Sequence, residues 1–109
     1  MYYTYILLTE NDTLYCGYSD NVDKRFQKHL SGKGAKYTRA NKPLKIVYKK
    51  AFKTKSEAMK EEARIKKLTK KEKLKLISHH FAFSIFLKAS VLFLAIFLAV
   101  AVFWLLVQP

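Results

Sequence analysis

The charged and the apolar residues of this 109-residue chain lie in two separate stretches. All but one of its 21 Lys and Arg residues and all 8 acidic residues precede His80, and Lys88 is the only charged residue beyond it. About 80 residues suffice for one small hydrophobic core and leave no room for a second domain. The sequence therefore predicts one small basic domain, over residues 1–78, followed by an apolar tail.

The net charge of +13 implies an anionic partner, either nucleic acid or an anionic membrane surface. The charge by itself does not separate these two. The single cysteine, Cys16, excludes a disulfide framework and is typical of a reducing compartment. We expect it to be a buried strand residue. Because no basic segment precedes an apolar run at the N-terminus, we expect no cleaved signal peptide.

The tail is apolar over a length that suggests a membrane span. The apolar run begins at Phe81, and residues 89–107 carry no charge. At about 1.5 Å per residue this uncharged run would form a helix roughly 28 Å long, close to the roughly 30 Å of hydrocarbon in a bilayer. We predict a juxtamembrane segment over 79–88 and one transmembrane helix over 89–107, with membrane lipid contacting residues 81–107. The alternative is a helix buried against the domain, which so small a domain could not cover on every side.

The dense Lys and Arg content before the tail predicts where the domain lies. Positively charged segments next to a membrane span stay on the cytoplasmic side. The chain is therefore predicted to be a single-pass membrane protein with a cytoplasmic N-terminal domain.

The pattern of the domain predicts a small α+β fold in the order β-β-α-β-α-α. Aromatic and branched residues at 2–8 and 13–18 are typical of two strands, and the turn-forming residues between them predict a hairpin. Residues 44–52 alternate loosely and predict a third strand. We expect a three-stranded, mostly antiparallel sheet with helices packed beside it, and a basic loop over 31–43.

Local signals mark the starts of the three predicted helices. Ser19 or Asp20 could cap a first helix that ends at about residue 30. Capping boxes at 54–57 and 69–72 open the second and third helices. Three apolar residues spaced four apart are expected to form the buried face of the first helix: Val22, Phe26 and Leu30.

Tyr5 and Tyr15 lie on the two strands of the predicted hairpin. If the turn centres on Glu10 or Asn11, both phenols project from one face of the sheet. A two-residue turn of odd register would separate them. The alternative for either side chain is the commoner role of a half-buried strand aromatic.

Arg25 and His29 are four residues apart, so they stack on one side of the first predicted helix. At the border between core and solvent, Arg25 could hold a phosphate bidentately and stabilise the extra charge of a pentacovalent transition state. His29 could hold a phosphate oxygen or relay a proton. The alternative, which the pair by itself favours, is two basic residues on a solvated helix face.

Glu62 lies in the apolar stripe of the second predicted helix, roughly 40° from Ala58 and roughly 60° from Ile65. A carboxylate that faces a core needs a partner or a metal ion. One carboxylate with waters and a substrate phosphate suits a single Mg²⁺ or Mn²⁺ ion, and a structural salt bridge to a lysine or to Arg25 is the alternative. The sequence has no Cys and His cluster for zinc, no glycine-rich phosphate loop and no serine triad signature.

An ordered set of short motifs resembles the GIY-YIG nuclease superfamily, and in particular its small stand-alone bacterial members. These are related to the catalytic domains of a bacterial excision-repair nuclease and of homing endonucleases. The motifs are Tyr3-Thr4-Tyr5, Tyr15-Cys16-Gly17, the helix from Val22 to His29, the segment from Gly32 to Arg39, and Glu62-Ala63-Arg64-Ile65-Lys66. No single motif is specific, but their order over residues 1–77 is. The first tripeptide keeps only its final tyrosine, and the substituted positions are strand residues rather than chemical groups.

The resemblance implies a three-stranded sheet flanked by helices and a one-metal hydrolysis of DNA. It implies that Tyr5 and Tyr15 lie in the catalytic site and that one of them helps to deprotonate the attacking water. It also implies that Arg25 stabilises the transferred phosphate, that His29 assists and that Glu62 binds the metal ion.

These observations predict a metal-dependent endonuclease acting on DNA, tethered to a membrane by its C-terminus and without a small-molecule cofactor. Five basic residues are expected to neutralise flanking phosphates without reading sequence: Lys33, Lys36, Arg39, Lys42 and Lys45. The same fold could instead hold DNA at the membrane without cleaving it. A third possibility is a basic domain lying on anionic lipid, against which the strand and capping signals argue.

Overall fold

The computed structural model describes the backbone of residues 1–108 and the side chains of residues 1–82 and 92–108. The elements are β1 (Tyr2–Thr9), β2 (Leu14–Ser19), α1 (Val22–Leu30), α2 (Lys36–Ala40), β3 (Pro43–Phe52), α3 (Lys55–Lys66) and α4 (Lys70–Val107). The predicted α+β fold is confirmed, since the three strands form one antiparallel sheet in the order β2-β1-β3. The difference is α2, a short helix inside the predicted basic loop.

The central strand β1 is covered on both faces. Its four middle residues, Thr4 to Leu7, are fully buried, and successive side chains of a strand point to opposite faces. Ile6 therefore belongs to one buried cluster and Tyr5 to another. The first cluster contains Ile6, Cys16, Val47, Tyr48 and Ile65, and the second contains Tyr5, Leu7 and Val22.

The helix starts follow the capping signals with one correction. Thr54 caps α3 by accepting a hydrogen bond from the Glu57 amide, and the box at 69–72 opens α4 as predicted, with reciprocal bonds between Thr69 and Glu72. The prediction of Ser19 or Asp20 as the cap of α1 is wrong. Asn21 takes that position, and its side chain accepts from the Lys24 amide.

The buried face of α1 also differs from the prediction. Leu30 is 38% exposed, whereas His29 is 1% exposed. At roughly 100° per residue, a position seven residues after Val22 returns to within about 20° of it, while the eighth lies about 80° away. The helix therefore buries Val22 and His29 together, and the alternative of a solvated helix face does not hold for His29.

The chain divides into two compact units, Met1–Ile77 and a second unit that begins at Ser78. In the second unit, the large apolar side chains described from Leu92 onward are exposed. No helix in the part of the chain that the structure describes is long and apolar enough to cross a membrane. The predicted transmembrane helix over 89–107 is therefore not supported. Residues 89–91 of that prediction lie outside the described side chains.

Candidate active site

A cleft of about 460 Å³ lies in the N-terminal unit. Four of the five predicted catalytic or metal-binding residues contribute to its wall: Tyr5, Tyr15, Arg25 and Glu62. The fifth, His29, lies behind the wall and forms a hydrogen bond with Tyr5. The fold therefore brings together all five residues, which come from β1, β2, α1 and α3.

The hairpin register places the two tyrosines on one face. Tyr5 pairs with Gly17, and Tyr15 pairs with Leu7, so the turn centres on Asn11 and the phenols are diagonal neighbours rather than directly opposed. Their ring centroids lie 6.4 Å apart. Gly17 provides the space for this arrangement, because a Cβ there would lie 2.6 Å from the Tyr5 hydroxyl oxygen. A larger residue at that position would displace the Tyr5 ring.

Both phenols are held in the neutral form. Burial and the neighbouring Tyr15 raise the pKa of Tyr5 to about 12, although the Arg25 guanidinium acts in the opposite direction. Burial also raises the pKa of Tyr15, against the attraction of Lys66 and Arg25. At neutral pH each phenol therefore carries its proton, and either one could accept a proton from water only by passing its own to a base.

The imidazole of His29 is placed to be that base. Its Nε2 lies 3.0 Å from the Tyr5 hydroxyl oxygen, and its ring meets the Tyr15 ring edge-on at 5.1 Å. Burial lowers the pKa of His29, and the positive charges of Arg25 and Lys28 lower it further. The ring is therefore neutral at pH 7 and has one nitrogen available to accept a proton.

Arg25 is half-buried and lines the cleft beside Tyr5. It also borders a smaller depression of about 210 Å³ together with Lys24 and Lys28. The Arg25 guanidinium lines the cleft, and its planar group of N–H donors can bind a phosphate bidentately. The arrangement is suited to an anionic substrate that extends along the start of α1.

Glu62 is only 15% exposed and lies in the cleft wall, where its carboxylate pairs with the Lys66 ammonium at 2.5 Å. The salt-bridge alternative thus has a structural basis, with Lys66 and not Arg25 as the ion-pair partner. Lys66 is itself 54% exposed, so its flexible side chain can move into solvent at little cost. The carboxylate is then available to a ligand in the cleft.

The donor set at Glu62 fits a hard divalent cation that keeps most of its water ligands. Among the described residues, no group of three or more His, Cys, Asp or Glu side chains could hold a metal ion. Mg²⁺ is commonly held by one or two carboxylates, with waters and substrate phosphate completing the octahedron. Zinc, which requires about three or four protein ligands, does not fit this site.

The five predicted DNA-contacting residues are all exposed and lie on the segment from the α1–α2 loop into β3: Lys33, Lys36, Arg39, Lys42 and Lys45. Tyr37 joins this segment to the cleft, because its ring stacks on Tyr15 with centroids 5.9 Å apart. α2, which carries two of the five, is therefore adjacent to the candidate site. Lys36 and Arg39 of the basic segment are thus near the cleft.

Sequence reasoning missed several residues of the site. Thr38 is buried and contacts His29, and Lys66 occupies the Glu62 carboxylate. The spacing of Glu62 and Lys66 is a recognisable helical ion-pair signal. Thr38 lies in one of the family-like motifs, but that segment was predicted to be a loop, so no helical or strand periodicity indicated its burial.

The fold and the cleft define a small basic α+β domain whose site combines two phenols, a guanidinium, an imidazole and a carboxylate. Residues 1–75 match the model of the GIY-YIG catalytic domain. The chain therefore belongs to the GIY-YIG family, and the predicted resemblance is confirmed. The family is one of endonucleases that typically depend on a divalent metal ion, and its domain implies a DNA substrate.

Relatives of the chain match about 70% of its length. A UPF0213 protein of Oceanobacillus iheyensis is 54% identical over 76 residues, which cover 70% of this chain and 88% of the relative. A UPF0213 protein of Staphylococcus saprophyticus is 47% identical over 77 residues, 71% of this chain and 94% of the relative. The solution NMR structure of a protein from E. faecalis aligns with a TM-score of 0.50 and 38% identity, over 73% of this chain and 86% of that one.

Proposed function

We propose that the chain is an endonuclease that hydrolyses DNA phosphodiester bonds with one divalent cation, Mg²⁺ or Mn²⁺. The observation that carries the proposal is the convergence of Tyr5, Arg25 and Glu62 on one cleft, with His29 bonded to the Tyr5 hydroxyl. This set contains a proton relay, a phosphate-binding group and a carboxylate for a cation. Membership of the GIY-YIG family supports the same reaction class.

Tyr5 is the better candidate for activating water, because its hydroxyl is the one that lies against His29 Nε2. As the phenol oxygen accepts a proton from the attacking water, its own proton passes to the imidazole. Positioned proton transfer of this kind typically contributes about 10²–10⁴-fold to a rate. Tyr15 would pack against the relay and shape the cleft floor.

Arg25 and Glu62 act on the phosphate side of the reaction. The Arg25 guanidinium would stabilise the negative charge that develops on the phosphate oxygens. Glu62 would hold the cation once Lys66 releases it, and a bound divalent cation supplies Lewis-acid polarisation of the phosphate. The exposed basic residues around α2 would neutralise flanking phosphates, so that affinity falls steeply as salt rises.

A second candidate is a DNA-binding module that does not cleave. The Glu62–Lys66 ion pair favours it, because the carboxylate needed for the cation is occupied by a lysine. Salt-sensitive DNA binding with no Mg²⁺-dependent product, on linear, nicked and branched substrates alike, would identify this function.

The test of catalysis compares two adjacent glutamates in a plasmid-nicking assay with the detergent-solubilised full chain. Glu61 and Glu62 are 14% and 15% exposed, and each pairs with a cation on α3, Arg64 and Lys66 respectively. Of these two glutamates, Glu62 lines the cleft and Glu61 does not. We expect Glu62→Gln to lower Mg²⁺-dependent nicking by about 10²–10³-fold, while Glu61→Gln stays within about threefold of the parent chain. Equal nicking by both variants would assign the activity to a contaminant.

Membrane attachment through residues 81–107 and a cytoplasmic location of the domain stay predictions of the sequence, and the catalytic proposal does not depend on them. Fractionation of cells that express the full chain or a chain ending at residue 80 tests the attachment. Recovery of the full chain in the soluble fraction would contradict the predicted membrane attachment.

A further inference from the structure

A buried chain of hydrogen bonds runs from the cleft to the backbone of the α1–α2 loop. The Tyr5 hydroxyl lies 3.0 Å from His29 Nε2, and His29 Nδ1 lies 2.7 Å from Thr38 Oγ1. Thr38 Oγ1 in turn lies 2.9 Å from the carbonyl oxygen of Ala35. The His29 and Thr38 side chains are 1% and 2% exposed, so solvent does not supply alternative partners to the imidazole or to the Thr38 hydroxyl. The directions of these bonds can therefore be worked out by counting protons.

The carbonyl of Ala35 can only accept a hydrogen bond. Thr38 has a single hydroxyl proton, and that proton is donated to Ala35. Thr38 Oγ1 must then accept the bond that it shares with His29, so His29 Nδ1 carries a proton. A neutral imidazole has one N–H, which leaves Nε2 bare and makes the Tyr5 hydroxyl the donor in their bond.

We infer that Thr38 is a positioning residue that fixes the tautomer of His29, with the proton on Nδ1 and with Nε2 free to receive the proton of Tyr5. The opposite tautomer would direct Nε2–H at the Tyr5 oxygen, and it would take the Thr38 proton away from the Ala35 carbonyl, which would keep only the Arg39 amide as a donor. In that tautomer Tyr5 could not pass its proton to His29. The catalytic meaning of this inference rests on the proposed nuclease function, whereas the tautomer itself does not.

Atoms and protons balance in the proposed step. The water oxygen forms a bond to phosphorus while one of its protons moves to the Tyr5 oxygen, and the Tyr5 proton moves to His29 Nε2. The bond from phosphorus to the leaving oxygen breaks, and that oxygen takes a proton from solvent. His29 becomes an imidazolium, with its Nδ1–H still bonded to Thr38, and later returns its extra proton to solvent.

Gly34 encloses the imidazole on its Nδ1 side. A Cβ at Gly34 would overlap His29 Nδ1 and would lie 2.9 Å from the His29 Cα. The loop backbone therefore packs directly against the imidazole, and it leaves Thr38 as the hydrogen-bond partner of Nδ1. The role of this glycine is to provide space, since its φ does not lie in the left-handed region.

The inference is tested by long-range ¹H–¹⁵N NMR spectra of the ¹⁵N-labelled full chain in detergent, which distinguish protonated from bare ring nitrogens. A His29→Gln variant identifies the His29 signals. At neutral pH we expect a protonated Nδ1 and a bare Nε2 in the parent chain. A protonated Nε2 in the parent chain would overturn the inference without the need for any variant at Thr38.

Three variants then test whether Thr38 is the cause. Thr38→Val should shift His29 toward the Nε2–H form, and Thr38→Ser, which keeps the hydroxyl, should restore the parent spectrum. Thr4→Val is the matched control, because Thr4 is also buried and donates to a backbone carbonyl, that of Ala58 at 2.8 Å, outside the hydrogen-bond chain of the histidine. A parent-like His29 spectrum in folded Thr38→Val would overturn the role of Thr38.

Cleavage kinetics separate this inference from the proposed function. If both hold, Thr38→Val lowers kcat about 100-fold or more with little change in KM for DNA, and Thr38→Ser recovers most of the rate. If no chain cleaves DNA but the spectra behave as expected, the proposed function fails and the tautomer assignment stands. A shifted tautomer with unchanged kcat would overturn the positioning role while the nuclease proposal survives.

Discussion

Ile6 and Tyr5 are neighbours on the central strand, but they face regions of different chemistry. Ile6 lies in a cluster with Val47 and Ile65, together with Cys16 and Tyr48. Tyr5 shares its surroundings with the buried polar side chain of His29 and with the opening of the cleft. One face of β1 therefore supplies most of the purely apolar packing, and the other places polar groups where a substrate could reach them.

This difference shows how a small domain can carry a polar site without losing its core. A buried polar group is tolerated only when its hydrogen bonds are made. Among the described residues that are not exposed, every buried side-chain nitrogen and oxygen atom has a partner. The hydrogen-bonded chain of Tyr5, His29 and Thr38 is thus compatible with a stable fold. The polar face of β1 contributes less hydrophobic stabilisation, and the apolar face offsets this deficit.

The largest effect on stability is expected from the apolar face. Ile65 is fully buried, and Ile65→Ala should lower the free energy of unfolding by about 2–5 kcal/mol through lost burial and a cavity. Urea unfolding of the full chain measures this loss. Nicking activity per folded molecule should change little, and a selective loss of activity at full stability would contradict the separation of the two faces.

The opposite pattern is expected on the cleft face. Tyr5→Phe keeps the ring but removes the hydroxyl, so nicking should fall by about 100-fold. The free energy of unfolding should fall by about 1–3 kcal/mol, because His29 Nε2 loses its donor. Single-turnover cleavage and urea unfolding on the same preparation compare the two effects. Full activity in this variant would assign water activation to Tyr15 or to another group.

The smallest predicted effect is a loss of stability in mild acid. The pKa of His29 is lowered in the folded state, so the unfolded chain binds a proton at this imidazole more readily than the folded chain does. Above the ordinary histidine pKa near 6.5 the imidazole is neutral in both states and does not reduce stability, whereas below that pH its protonation favours the unfolded chain. Stability should therefore fall as the pH decreases from about 7 toward 5. Urea unfolding across this range measures the slope. His29→Gln should flatten it, and an equal slope in that variant would assign the effect to other groups.

Signals that act over a few residues were sufficient to predict much of the fold. The hairpin, the third strand and the boxes at 54–57 and 69–72 depend on local alternation and capping. α2 was missed because a five-residue helix has no apolar period to detect. The orientation of α1 was predicted incorrectly because Leu30, although apolar, is 38% exposed, while His29 is buried.

For the candidate site, the sequence indicated most of the residues but not the contacts between them. The tyrosines, Arg25 and Glu62 could be named from their positions on strands and helices and from the resemblance to a known family. The spacing of Glu62 and Lys66 already indicated their ion pair. The diagonal register of the tyrosines and the bond between His29 and Thr38 became visible only in three dimensions. The register and the hydrogen bond each depend on a contact between residues that the sequence alone did not pair.

The order of elements and the separation of charge from apolar residues belong to the sequence alone, because hydrophobic periodicity and capping act locally along the chain. The directions of the buried hydrogen bonds were decided only by the tertiary structure. Whether Tyr5 donates or accepts depends on the proton of Thr38, which lies on a different element and is brought to His29 by the packing of the α1–α2 loop. Proton positions at such a site follow from which donors and acceptors are enclosed together, and only the folded chain specifies that set.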